Sequence, residues 1–132
     1  MKKDTVVISI FIKNDKILVE KRELRQFEIS QYLIPGGIVE KGEELEAALK
    51  REALEELGVK IISCYAIPIK KKILGLKGQH LIPFIVKEWK GAFPDQILDK
   101  GTPLFWIDFE EALTSKVKPT REIIIALKNH LF

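Results

Sequence analysis

Between Gly36 and Val59 the chain gathers residue types that could do chemistry together. At the 100° per residue of an α-helix, Glu52, Glu55 and Glu56 fall on one stripe about 100° wide. Like charges at this spacing repel by a few tenths of a kcal/mol per i,i+4 pair. Here they also crowd toward a helix C-terminus, where the helix dipole disfavours anions. A divalent cation reverses the sign of that argument, because Mg²⁺ seeks hard carboxylate oxygens and keeps positions open for phosphate and water. Arg51 lies beside Glu55 on the wheel and can hold a carboxylate with a two-pronged hydrogen bond. Glu43 reaches the same region if the chain enters the helix suitably. Ala48 falls on the acidic stripe one turn before Glu52, where a methyl would leave room for ions and their waters. Gly36 and Gly37, after Pro35, let backbone approach a ligand with no Cβ in the way.

These residues carry a resemblance. Gly37, five residues, Glu43, seven residues and then Arg51-Glu52-Ala53-Leu54-Glu55-Glu56-Leu57-Gly58-Val59 resembles the Nudix box, G-x5-E-x7-R-E-U-x-E-E-x-G-U, where U is a bulky aliphatic. At a background of roughly 7% per residue type, seven fixed positions agree by chance about once in 10⁸ windows. The one departure is Ala53, where the family prefers a larger aliphatic, and it concerns packing under the helix.

The resemblance implies an α/β fold, the Nudix α/β/α sandwich with a mixed β-sheet. It implies hydrolysis of a nucleoside diphosphate linked to another group, with Mg²⁺ as cofactor and Mn²⁺ as an alternative. By the same resemblance Glu52 and Glu56 are direct metal ligands, Glu55 binds directly or through water, and the Gly36 carbonyl is a further ligand. Arg51 and Glu43 are orienting partners. Glu52 is the expected general base, since a carboxylate must take the proton of the attacking water.

The nucleoside-triphosphate-cleaning members of the family carry a further glutamate just after a Trp-x-Gly segment. This chain has Trp89-Lys90-Gly91 followed by Ala92, leaving Glu88, Asp95 or Asp99 as substitutes, or the box to act alone. The tyrosine, proline and coenzyme A features of other subfamilies are absent. The expected substrate is therefore a nucleoside triphosphate, oxidised or not, cut to monophosphate and pyrophosphate. ADP-ribose and dinucleoside polyphosphates are the alternatives, and a catalytically silent nucleotide-binding module is the rival from another class. An isoprenoid diphosphate isomerase would need a cysteine–glutamate pair that is not found. Arg22, Arg25 and Arg121 are candidates for phosphate or base contacts. Phe27, Tyr32, Phe84 and Trp106 are candidates for stacking, with core packing as the plainer role for each aromatic.

The elements that must position these residues follow from pattern. The 132 residues suit a single domain spanning 1–132, with 46% hydrophobic and 31% charged residues. A net charge of +3 is too small to indicate nucleic-acid binding, and Lys70-Lys71-Lys72 reads first as a solvated strand end. One cysteine, Cys64, excludes an internal disulfide and suits a cytoplasmic protein. Neither a leader peptide nor a membrane span is expected, and the protein is expected as a monomer or homodimer.

Val6 to Ile12 is apolar and β-branched, as in a strand buried on both faces. Asn14-Asp15 predicts a hairpin turn into Ile17-Leu18-Val19. Lys21 to Gln31 reads as a loop, and Tyr32 to Ile34 as a short extended piece. Glu43 to Leu57 predicts a helix with Leu45, Leu49, Ala53 and Leu57 on its apolar stripe and Gly58 as its cap. Ile61 to Ile69, Leu81 to Val86 and Leu104 to Ile107 read as strands, with Pro83 suggesting an edge or a bulge in the second. Phe109 to Leu113 predicts a short helix. Pro119 opens a last helix with Ile123, Ile124, Leu127 and Leu131 inward.

Overall fold

The computed structural model describes residues 4–24 and 29–132. Strand β1 (Thr5–Ile10) runs into a short β2 (Ile12–Lys13), which turns back into β3 (Lys16–Leu24). The turn is Asn14-Asp15, both with positive φ, 53° and 61°, as a tight hairpin between right-twisted strands requires. Strands β4 (Ile29–Leu33) and β5 (Gly36–Ile38) lead to helix α1 (Leu45–Leu57). Then come β6 (Lys60–Ala66), β7 (Ile73–Leu74), β8 (His80–Lys90), β9 (Leu104–Asp108), α2 (Phe109–Ala112) and α3 (Lys118–Leu131).

Among the described residues these strands form two sheets. The first, in the order β5-β1-β8-β6 with β7 also on β8, is mixed: β1 and β8 are parallel and the other pairs antiparallel. The second is antiparallel, β2-β3-β4 with β9 on β3. Alternation along β1 divides the interior in two. Val7 and Phe11 point to a core built with Leu49, Ala53 and Leu57 of α1, and Ile8 and Ile10 to a core built with Ile123, Ile124 and Leu127 of α3. This is the expected α/β/α sandwich, and it explains why β1 is buried on both faces.

Several sequence expectations change. Most of the stretch read as a loop from Lys21 to Gln31 belongs to β3 and β4, paired from Glu20↔Leu33 to Leu24↔Ile29. Its charged side chains hid the pairing. Pro83 is neither at an edge nor in a bulge, since β8 is central. Its carbonyl accepts the Ile67 N–H, so its nitrogen faces the seam where β6 ends and β7 begins and takes nothing from the β1 ladder. Helix α1 starts at Leu45, which is partly exposed, and Ala48 is fully buried under the helix instead of facing an ion site. A methyl at position 48 lets the first turns of α1 settle onto the sheet. Leu131, at the end of α3, is exposed, while its neighbour His130 is the residue that meets the sheet, at the Tyr65 hydroxyl of β6.

Candidate active site

Helix α1 forms where strong helix formers follow a tight entry at Gly42 (φ +79°), and it stops at Gly58 (φ +67°), whose N–H is donated to the Leu54 carbonyl. Burying Leu49, Ala53 and Leu57 sets the rotation of the helix and so distributes the acidic stripe. Glu56 is driven inward, to 8% exposure, and Glu52 lies against β5. The Glu55 side chain stays mostly in solvent.

Arg51 is the hub of the helix entry. Its Nε and Nη2 donate to the two oxygens of Glu43, at 2.8 and 2.9 Å. Its Nη1 donates to Glu52 Oε1 at 2.8 Å and more weakly to Glu55 Oε2 at 3.4 Å, and Nη2 also reaches the Ile38 carbonyl at 3.1 Å. Glu43 in turn accepts the Glu40 N–H at 3.0 Å. The Arg51 hydrogen bonds, helped by that amide, hold the Glu43 carboxyl down at about 2, and the same bonds to Glu43 and then Glu52 raise the Arg51 guanidinium further. Glu43 and Arg51 are thus a fixed ionic clamp that ties loop to helix and aims the Glu52 carboxylate.

Glu56 behaves in the opposite way. Burial is the main cause that pushes its carboxyl up to about 7. Lys100, with Nζ 3.8 Å from Glu56 Oε1, opposes the rise; the charges of Glu52 and Asp99 and a hydrogen bond with the Glu52 side chain add to it. Two facing carboxyl groups, one buried, with a lysine at long range are a costly arrangement for a metal-free protein. They are also hard oxygen donors that a divalent cation neutralises, so the donor chemistry fits such an ion. Gly37 supports the same placement: a Cβ there would come within 2.1 Å of Glu52 Cδ, so only glycine lets the carboxylate lie on this strand. Among the described residues no three acidic, histidine or cysteine side chains are already gathered as a metal cluster. Glu55 in particular turns toward Arg51, away from Glu56.

A cleft of about 590 Å³ opens beside these groups. Its polar and backbone lining is Gly36, Gly37, Glu52, Glu56, Glu20, Arg22 and Lys100. Its apolar lining is Val6, Ile8, Leu33, Ile34, Ile38, Leu81, Val117, Pro119 and Ile123, with Gly75, Leu76, Lys77, Gln79 and Thr120 completing the wall. The two kinds are interleaved, since Leu33 pairs with Glu20 and Ile8 with Gly36 across their strands. Of the residues singled out in the sequence, Gly36, Gly37, Glu52, Glu56 and Arg22 line it. Glu55, Glu43 and Arg51 stand behind. Trp106 and Arg121 do not line it: Trp106 packs edge-on to Phe93, 5.5 Å between centroids, and Arg121 donates to the Ser115 carbonyl at 2.7 Å. Phe84 is buried in the α1-side core. The Tyr32 hydroxyl is taken by Glu111 at 2.8 Å, which together with burial raises its pKa. Arg25 and Phe27 lie outside the described residues.

Sequence reasoning missed Glu20 and Lys100. Glu20 is buried beside Arg22 and accepts the Thr102 hydroxyl at 2.8 Å. The available signal was a single acid continuing the apolar run Ile17-Leu18-Val19. Lys100 had none, since a lysine in a polar loop is unremarkable on a line of sequence. Of the three acids named as substitutes for the one absent at Ala92, Asp99 is the one whose charge acts on Glu56.

The chain is similar to known proteins in sequence and in fold. The NUDIX domain pattern matches residues 2–127. A protein of Buchnera aphidicola (subspecies Schizaphis graminum) named 8-oxo-dGTP diphosphatase is 35% identical over 91 residues, 69% of this chain and 68% of that one. The ADP-ribose pyrophosphatase of Methanocaldococcus jannaschii is 40% identical over 70 residues, 53% of this chain but only 37% of that protein. In three dimensions the solution structure of the E. coli ORF135 protein superimposes with a TM-score of 0.76 at 26% identity, covering 98% of this chain and 91% of that one. The chain therefore belongs to the Nudix family, as a MutT-like hydrolase of phosphoanhydride bonds. Hydrolases of this family generally use divalent metals. Among the described residues no helix is long and apolar enough to cross a membrane.

Proposed function

We propose that the protein hydrolyses a nucleoside triphosphate, with an oxidised purine nucleotide as the leading candidate, to the monophosphate and pyrophosphate in the presence of Mg²⁺, with Mn²⁺ as a substitute. The observation that carries this reading is the cleft beside the paired carboxylates Glu52 and Glu56, which offers apolar side chains as well as charged ones. Its volume lies in the range of small-molecule sites and suits one nucleotide. The relative named 8-oxo-dGTP diphosphatase supports the choice of substrate.

Glu52 and Glu56 would hold the metal, with the Gly36 carbonyl beside them and Glu55 acting through water. When bound, the ion would neutralise phosphate oxygens and lower the pKa of a coordinated water. The protein's own part is positional. The Glu43–Arg51 clamp aims Glu52, whose carboxylate takes the proton from the attacking water. Arg22 offers a guanidinium to the polyphosphate from the cleft lining. The apolar side chains of the cleft pack on the base and sugar and keep bulk water from them. Water adds to phosphorus, the P–O bond to the pyrophosphate breaks, and the proton from water passes to Glu52.

The test is a panel of ordinary and oxidised nucleoside triphosphates, ADP-ribose and a dinucleoside polyphosphate, with Mg²⁺ at alkaline pH and the products identified. Pyrophosphate and a monophosphate from a triphosphate are expected. AMP and ribose 5-phosphate released from ADP-ribose at a higher kcat/KM would move the assignment to that substrate, in line with the Methanocaldococcus relative. No turnover of any compound would favour a binding module.

A further inference from the structure

Lys100 belongs to the segment between β8 and β9, and the backbone fixes where that segment sits. The Leu98 N–H donates to the Glu56 carbonyl at 2.9 Å, so the segment is fastened to the end of α1. Ile97 is fully buried; its N–H donates to the Thr102 carbonyl and its carbonyl accepts the Gly101 N–H, both at 2.8 Å. Gly101 has a φ of +73°, which closes the turn. On the far side Thr102 is fastened to Glu20 by its hydroxyl. These anchors place Lys100 on the cleft wall independently of any ion pair.

The Lys100 side chain is half exposed, and its Nζ is 3.8 Å from Glu56 Oε1, too far for a hydrogen bond. The pair is thus a charge contact that either partner can leave. A cation taken up by Glu56 would repel the ammonium, and the nearest place for it within the cleft is beside the anionic part of a ligand. We propose that Lys100 is a phosphate-binding residue, resting on Glu56 in the metal-free protein and transferred to the polyphosphate once Glu56 carries a cation. Lysine suits such an exchange, since its ammonium is a mobile point charge on a flexible stem. The inference deepens the nucleotide reading of the cleft given above and rests on it.

Isothermal titration of the whole chain with Mg²⁺ alone, and then with inorganic pyrophosphate at saturating Mg²⁺, tests the assignment in the wild type, Lys100→Met and Lys100→Arg. Lys100→Met is expected to bind pyrophosphate about tenfold more weakly, the loss of one charged phosphate contact. Its affinity for Mg²⁺ alone should be unchanged or up to about threefold tighter, because a like charge next to a ligand carboxylate is gone. Lys100→Arg should restore pyrophosphate binding to within about threefold. These opposite responses separate a phosphate contact from a structural role, which would weaken both ligands together. Unchanged pyrophosphate affinity in Lys100→Met, parallel weakening of metal and pyrophosphate, failure of arginine to restore binding, or no pyrophosphate binding by the wild type would each overturn the proposal. Lys100-dependent pyrophosphate binding in a protein that turns over no triphosphate would instead refute the substrate assignment and leave the lysine's role standing.

Discussion

Gly37→Ala separates placement of the Glu52 carboxylate from stability of the fold. A methyl on Gly37 would lie 2.1 Å from Glu52 Cδ, 2.3 Å from Cγ and 2.5 Å from Oε1. The carboxyl carbon would have to retreat by about 1.3 Å to reach an ordinary 3.4 Å contact. The atoms in the way are the far end of a flexible side chain, so the backbone need not move. The stability cost is the Arg51–Glu52 hydrogen bond, about 1 kcal/mol for a partly exposed pair. It is offset by the 0.4–1 kcal/mol that Gly→Ala contributes by restricting the unfolded chain. The net change in Tm should be within about 4 °C. Misplacing a reacting group by about 1 Å costs on the order of 10² in rate, so kcat should fall about a hundredfold with Mg²⁺ and the best nucleotide of the panel. Gly36→Ala is the control. Its methyl would meet the Val7 carbonyl oxygen at 2.3 Å, and this is backbone, so β5 must part from β1 at a cost of about 1–3 kcal/mol. Calorimetry and steady-state kinetics on both variants check the reasoning. Gly37→Ala with kcat within threefold of wild type would refute the role given to Glu52, and a loss of more than about 8 °C in Tm would refute the claim that only a side chain yields.

The Glu56 carboxyl, raised to about 7, holds its proton while the unfolded chain has released one at its ordinary value of 4.5. Its contribution to stability in metal-free protein is therefore fully present below 4.5 and lost as pH rises through about 7. Urea melts across that window should show the decline, and Glu56→Gln should flatten it while removing turnover. Since Mg²⁺ must displace that proton, titration near pH 6 in buffers of different ionisation enthalpy should detect close to one proton released, and affinity should climb with pH up to about 7. Arg51→Lys keeps the charge but loses the fork that holds Glu43 and Glu52. The Glu43 carboxyl, depressed to about 2, gives stability that is present above 4.5 and lost as pH falls through about 2. In Arg51→Lys a carboxyl NMR titration should return Glu43 toward the ordinary range and kcat should fall about tenfold or more. An unmoved Glu43 would show that Arg51 is not what holds it.

Local pattern determined a good deal of this protein. Spacing by four placed Leu49, Ala53 and Leu57 under a helix, Gly58 ended it, Asn14-Asp15 made the hairpin, and the seven motif positions named the chemistry. Each depends on residues close together in the chain, so each can be read along a line. Tertiary structure decided what depends on packing. It sent Ala48 into the core, turned Glu55 outward to Arg51 and drove Glu56 inward until burial set its proton affinity, because the rotation of α1 is fixed by the sheet beneath it. It brought Glu20 to Thr102 and Lys100 to Glu56 across long sequence separations, through strand pairing and loop anchoring that no local periodicity encodes. It withdrew Trp106 and Arg121 from the cleft, since an aromatic or a guanidinium that suits a ligand also suits a neighbouring ring or carbonyl, and only the folded chain supplies those neighbours.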